Sequence, residues 1–556
     1  MTRRPRFRRP ARLAGLPVVA LVVVATAAAL RPGIGGGAAT PSALPVGVAA
    51  IPSETISPSA TPSATPSPAP LASPAATPTA PPSPTAKPSP VPLVPIVSFW
   101  SERRTISLDE LATALGGGGG PGPSPNPLQV VVSSDDLGAL SALLHVAAFG
   151  VRSMAPADVI AFVKATPNAL GVIRADDVAL GVRAIGVDGD QLFGVARTHD
   201  LAAWPLTVTE PGVTSTFDAA AEWTIAAGGD VMLDKAVYTQ SVTNNLGVDY
   251  AWNGGMAVID SRYCCGWGGP SLAGGSRTGG AGSFAYLFRQ ADLGLVNLES
   301  PEPHDFTYHA GGFTFTGDPA LLAGIKDAGV DLVSLANNHL GNGGAHGITD
   351  TIGYLDELGI DHAGAGANIA AARKPAWLLA GGLQIAVLAY CYIEPTDYWA
   401  TASRPGSSGY TIGEVTADIA AAKKAGADYV IVMPHWGIEY TDRLAPGESA
   451  AAQRMIDAGA DLVLGSHSHW FGPLQQIGAD HLVFYSLGDL IFDWTHDERT
   501  QESAVADLTF VGRKLVQVDL HPTLIIDGQP NLLEPGGGGD AVLGQVRKTS
   551  AALLGW

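Results

Sequence analysis

An α/β layered domain is predicted between about Glu222 and about Pro535, and three observations predict it. Helical patterns alternate with near-continuous apolar β runs. One local phrase, a helix end followed by small residue, Gly, small residue, Asp and a strand, occurs three times. It reads AGVDLVSLANNH from Ala328, AGADYVIVMPHWG from Ala425 and AGADLVLGSHSH from Ala458. The apolar runs also end, one after another, in Asp, Glu, Asn or His.

In the repeated phrase, Gly329, Gly426 and Gly459 stand where a helix C-terminus calls for a left-handed residue. The strands that follow are apolar on both faces, which suits sheets covered by helices. The run endings carry the chemistry. TIAAGGD ends at Asp230, DLGLVNLE at Glu299, DLVSLANNH at Asn338 and His339, DYVIVMPH at His435, and DLVLGSHSH at His467 and His469. A sixth run, HLVFYSLGD, ends at Asp489. Ligands of open α/β sheets bind beyond the carboxyl ends of the strands, so these residues are expected to meet in one pocket. Carboxylate, amide and imidazole donors without thiolate suit Mn, Fe or Zn, as one or two divalent ions. Paired ions can activate water and clamp a phosphoryl group. Taken singly, an Asp or Glu after a strand is an ordinary helix cap or turn residue. Six such endings in order, with a His-x-His, point to metal.

At 556 residues the chain is long enough for two to four domains. Its hydrophobic content of 46% supports real cores, while 68 Gly and 42 Pro imply long stretches outside them. The net charge of −19 argues against nucleic acid or an anionic membrane surface as the main partner. An anionic substrate stays open, because bound metal reverses the local sign. With three cysteines, no disulfide framework or Cys-rich zinc module holds the protein together.

Within residues 1–40, six arginines between Arg3 and Arg12 precede the uncharged apolar run Leu13 to Leu30, the layout of a signal peptide or an uncleaved membrane anchor. Either reading places the remainder outside the cytoplasm, secreted or anchored to the outer face of the membrane. Residues 41–95 are Pro, Ser, Thr and Ala with few charges, a disordered and extended spacer. Residues 96–211 are expected to form a small α/β region, with strands in LQVVVSS and AFGVRS and helices in SLDELATAL and APADVIAFVKA. Its phrases PIVSFWSERRTISLDELATAL, PNALGVIRADD and VRAIGVDG resemble pieces of periplasmic solute-binding proteins of the phosphate-binder type. Residues 536–556 read as a tail. A Gly-rich insertion from Asn253 to Ser283 carries Cys264 and Cys265, and a bridge from one of them to Cys391 is an option in an oxidising compartment.

The motifs GGDVMLDKAV, NLESP, SLANNH with GITDTIGYLDELGIDHAGAG, PHWGIEY, IDAGADLVLGSHSHW and FYSLGDLIFD, in this order, are similar to those of the CapA family of capsule or poly-γ-glutamate synthesis proteins, within the calcineurin-like metallophosphoesterase superfamily. The resemblance implies a β-sandwich flanked by helices with a metal centre at the sheet edge. Carried over by motif, Asp230, Glu299 and His469 would hold a first ion, and Glu299, Asn338, His435 and His467 a second, with Glu299 bridging. His339 would be the acid or phosphate contact. Asn337, Trp436, Glu439, Tyr440 and Asp489 are candidates to line the substrate mouth, with packing an equal alternative for Trp436, Glu439 and Tyr440.

This sequence departs from the superfamily pattern at two ligand positions. Met232 stands where a histidine is usual, and a thioether is a poor ligand for such ions, so the first site would be weak, empty or completed by water, with Asp234 a candidate replacement. The usual bridging Asp is Glu299, and the familiar SLGN reads SLGD. The expected function is an extracytoplasmic metal-dependent hydrolase of cell-surface polymer metabolism, using metal-activated water on a phosphoester. The alternatives are cleavage of a γ-glutamyl amide, or a non-catalytic accessory subunit of a membrane polymer synthase.

Overall fold

The computed structural model describes residues 90–555, apart from 118–127, 148–150, 210–214, 264–265, 274–283, 394, 494–497 and 534–535. The N-terminal segment, the linker as far as residue 89, and Cys264 and Cys265 lie outside the described residues.

Two sheets pack face to face. The larger has ten strands, with Lys514–Ile526, Glu502–Val511, Glu222–Val231, Leu293–Leu298, Leu332–Ser334 and Asp361–Ala363 in that order at its centre and one edge. The smaller has six, ordered Ala376–Ala380, Leu383–Cys391, Tyr429–His435, Leu462–Leu464, His481–Phe484 and Leu474–Ile477. Alternation along one strand shows the layering. Ile385, Val387 and Ala389 enter the core between the sheets, together with Ile225, Leu295 and Leu332 from the facing sheet. Ala386, Leu388 and Tyr390 point the other way, onto the layer containing Val415, Ile419 and Met455 of the helices Ile412–Lys424 and Glu448–Asp457. A strand buried on both faces must be apolar throughout, which accounts for the unbroken runs. The fold is the expected helix-flanked sandwich.

The repeated phrase has a mechanical basis. Gly329, Gly426 and Gly459 have φ of +89°, +105° and +112°, so each ends its helix in the left-handed region. The Asp two residues on then binds the neighbouring parallel strand. Asp331 Oδ2 accepts from Gly294 N (2.8 Å), Asp428 Oδ2 from Gln384 N (2.9 Å), and Asp461 Oδ2 from Val430 N (2.7 Å). Each Asp also donates its own N–H to the carbonyl of that same residue. The carboxylate sets the register of each strand entry.

The small region is a sheet of six strands, with Ala169–Arg174, Pro90–Ser98 and Val182–Ala184 side by side. Its first strand starts at Pro90, inside the span assigned to the linker, because Val91, Leu93 and Val94 are fully buried. The expected helices form at Leu108–Leu115, capped by Ser107 Oγ, and Pro156–Ala165, with proline in the first turn. The supposed C-terminal tail is a helix, Gly539–Leu554, whose buried Val542, Val546, Ser550 and Leu554 recur at helical spacing. Ser550 Oγ accepts from Leu474 N (2.9 Å) on the sheet edge. The residues around Cys264 and Cys265 belong to a hairpin of Met256–Tyr263 and Gly266–Ala273 that extends the larger sheet. Cys391 is a free, buried thiol, so the bridge considered for it is not formed. No helix among the described residues is long and apolar enough to cross a membrane.

Charged groups join the small region to the sandwich. Asp519 receives both Arg104 Nη1 and Arg183 Nη1, the latter at 3.2 Å, and Arg183 is almost fully buried. Ala184 N donates to Gln517 Oε1 (2.7 Å) and Val195 N to Asp507 Oδ2 (3.0 Å). Removing one member of a buried pair strands the other's charge, so Asp519→Ala should cost about 3–5 kcal/mol in urea unfolding. Burial, with Asp519 adding to it, pushes the Asp507 carboxyl up to about 7. A carboxyl raised on folding adds stability below its ordinary value of 3.8 that is lost as pH climbs through about 7. Asp507→Asn should therefore flatten the fall in unfolding midpoint between about pH 4 and about pH 7.

Candidate metal centre

The strands that carry the predicted ligands run parallel, so their carboxyl ends share one edge. Asp230 lies near the end of Glu222–Val231, Glu299 directly follows Leu293–Leu298, and His435 is the last residue of Tyr429–His435. Asn337, Asn338 and His339 form the turn after Leu332–Ser334, and His467 and His469 the loop after Leu462–Leu464. His467 and His469 have φ of +100° and +58°, left-handed values that a non-glycine residue holds at a cost of about 1–3 kcal/mol.

Two buried sets of donor atoms result. Glu299, His435 and His467 form one, and Asp230, His469 and Asp489 the other, with the donor atoms of each set within 4.8 Å of one another. Asn338 joins the first, its Oδ1 2.8 Å from His435 Nε2, while Glu299 Oε1 lies 3.3 Å from the same nitrogen. In the second, His469 Nδ1 is 2.8 Å from Asp489 Oδ1. Cross-links hold the sets together: Asn297 Nδ2 donates to Asp230 Oδ1 (2.8 Å) and His467 N to Asp230 Oδ2 (3.1 Å).

Both oxygens of Glu299, His467 Nδ1 and Asp489 Oδ2 are buried without a hydrogen-bond partner. Orphaned acceptors of this kind carry a large desolvation cost unless a cation supplies the missing contacts, so the donor set fits divalent metal. Four of the titration shifts favour the neutral form of the group. Burial raises Asp230 well above the usual range, with Glu299 adding to it, and lifts Glu299 to about 8. Burial also holds His435 and His467 well below an ordinary imidazole, in the neutral form that binds metal. For His469 burial acts downward, but Asp489, Glu299 and Asp230 together raise it to about 10.

The remaining candidates divide. His339 is half-buried beside Asn338, its Nδ1 3.1 Å from Asn342 Oδ1 and its ring 4.6 Å from Phe315. Tyr440 stacks on His469 at 5.4 Å, and Glu439 is exposed nearby. Asn337 does not line a mouth. It is fully buried, donating to Leu298 O (2.7 Å) and accepting from the N–H groups of His339 and Leu340. Trp436 is also displaced from the site, because alternation after His435 turns it to the helix-covered face, where it stacks on Tyr485 and donates to its carbonyl. Asp234 caps the helix Lys235–Tyr238 and meets Thr316 N and His309, so it is not the substitute donor. Met232 is buried with Phe315, Phe492 and Ile525. Two contributors escaped the sequence reading: Asn297, a single polar residue in an apolar strand, and Ser466, whose Oγ is 2.8 Å from His435 Nδ1.

A helix-flanked double sheet with two such donor sets at its carboxyl edge is the fold that the metallophosphoesterase-like resemblance implies. Residues 224–494, which include every member of both donor sets, match the family described as bacterial capsule synthesis protein PGA_cap, and this part of the chain belongs to that family. The capsule biosynthesis protein CapA of Bacillus anthracis is 34% identical over 211 residues, 37% of this chain and 50% of that one. The PGA biosynthesis protein CapA of Bacillus subtilis is 29% identical over 245 residues, 42% of this chain and 63% of that one. The chain thus spans between half and two thirds of these relatives' length. Among solved structures, the NAD nucleotidase of Haemophilus influenzae aligns over 59% of this chain and 62% of its own, at 11% identity and a TM-score of 0.31.

Above about pH 8, the value to which burial lifts Glu299, Glu299→Gln removes an uncompensated buried charge. In metal-free protein it should raise the melting temperature, and it should reduce the additional stabilisation given by Mn2+, both read in thermal melts with and without the ion.

Proposed function

We propose that this is a CapA-type protein of capsule, poly-γ-glutamate or other cell-surface polymer synthesis, working outside the cytoplasm as a divalent-metal-dependent hydrolase of a phosphoester. The observation that carries the reading is the pair of buried donor sets with orphaned carboxylate and imidazole atoms. Mn, Fe or Zn suits them, and when bound supplies Lewis-acid activation of water and of a phosphoryl oxygen. Membership of the capsule synthesis family supports the pathway. The arginine-rich start followed by an uncharged apolar run supports the compartment, with secretion or anchoring by that segment.

The chain's own groups take definite parts. Asn342 Oδ1 accepts from Phe315 N and so faces His339 Nδ1 as an acceptor. That fixes the imidazole proton on Nδ1 and leaves Nε2 to contact substrate or, once protonated, to donate to a leaving oxygen. Tyr440 covers His469 on one side, and the burial of both donor sets keeps bulk water from the reacting atoms. Nucleic acid is not a partner on this reading. The substrate is a cell-surface polymer or a phosphoester derived from it, with a γ-glutamyl amide as the competing bond.

One observation favours a second reading. Met232 is packed among apolar side chains and offers no hard donor, which is compatible with an accessory subunit of a membrane synthase whose centre has a scaffold role. Purified protein supplied with Mn2+ separates the two. Cleavage of a p-nitrophenyl phosphodiester or of poly-γ-glutamate should fall to background in His435→Ala and in His467→Ala. Ion binding with no turnover of either substrate would sink the hydrolase and leave the scaffold.

A further inference from the structure

Asp489 reaches the centre by a route unlike that of the other donors. The strand His481–Phe484 lies in the six-stranded sheet, but Asp489–Ile491 pairs with Glu222–Val231 in the ten-stranded one, so the chain changes sheets between them. The change occurs at Gly488, with φ of +66°. Asp230 N donates to Gly488 O (2.9 Å), and a Cβ on Gly229 would stand 1.8 Å from that oxygen, so the approach requires glycine at position 229. Asp489 is thereby paired in register with Asp230. Two carboxylates held side by side out of water repel each other and would separate or protonate unless a cation lay between them.

Asp489 is wholly buried and has two distinct oxygens. Oδ1 faces His469 Nδ1, while Oδ2 has no hydrogen-bond partner. Met232, two residues after Asp230, turns into the cluster with Phe315, Phe492 and Ile525 and gives nothing to this half of the centre.

We propose that Asp489 is a direct ligand, holding one ion together with Asp230 and His469, and so divides the centre into an oxygen-rich half and an imidazole-rich half. This rests on the metal-centre reading above and extends it to each half's composition. Two carboxylates and one imidazole suit a hard cation such as Mn2+, whereas Glu299, Asn338, His435 and His467 suit Zn2+ or Fe2+. In this chain the carboxylate of SLGD supplies what the thioether of Met232 does not.

Asp489→Asn tests the assignment, because the amide oxygen still accepts from His469 Nδ1 and preserves any orienting role. Full-length protein stripped of metal would be titrated calorimetrically with Mn2+, with bound ion counted by elemental analysis. Wild type is expected to take two Mn2+ per chain. Asp489→Asn, with an unchanged circular dichroism spectrum, should keep one at wild-type affinity and weaken the other by about 100-fold or more, beyond the loss typical of an outer-sphere change. Two ions at unchanged affinity in Asp489→Asn would overturn the ligand role. On wild type itself, cadmium NMR should give two resonances, the oxygen-rich one upfield, and two coincident resonances would overturn the division. No Mn2+ bound by wild type would remove the metal-centre reading first, and this assignment with it.

Discussion

Three carboxylates and three imidazoles occupy a space closed to solvent, and their lost hydration and mutual repulsion set the terms on which this domain folds. The surrounding architecture is what keeps them there. Parallel strands bring Asp230, Glu299 and His435 to one edge, and left-handed backbone at His467 and His469 aims two rings inward at an energetic cost. Hydrogen bonds from Asn297 and from the His467 amide hold Asp230 in place. Such strain persists only where the rest of the structure over-determines it, and here two packed sheets with helices on their outer faces do so.

Most of the centre could be read from the sequence because each apolar run is a strand and each run's end lies on the ligand-binding edge. The errors have physical sources. Trp436 follows His435 directly, and the two-residue period of a strand sends neighbours to opposite faces, so adjacency in sequence was the wrong guide. Asn337 sits beside two site residues, but its amide builds the turn that presents them. Asp489 read as the end of a sixth run like the others, whereas the chain leaves one sheet and joins the second before reaching it. A change of sheet has no signature in hydrophobic periodicity. Asn297 could not be distinguished from a tolerated polar residue in a core strand without knowing what faced it.

At the domain level the prolines obscured one boundary. A segment rich in Pro, Ser and Thr reads as solvated, yet Val91, Leu93 and Val94 are buried in the small region's central strand. The repeated Gly–small–Asp phrase gave the opposite lesson. Its glycine is the helix end that the pattern implies, and its aspartate is the clamp on the adjoining strand. Three uses of one device show how a parallel sheet, which lacks tight hairpins to fix its register, can fix it with side chains instead.

The helix Gly539–Leu554 bears on biogenesis. It covers Leu474–Ile477, the outermost strand of the smaller sheet, and Ser550 satisfies an amide that would otherwise face outward. Because the ribosome makes this helix after the strand, the nascent sandwich passes through a stage with a bare β edge, the geometry that recruits other chains into aggregates. Safe emergence of the domain therefore depends on how quickly its final helical turns dock.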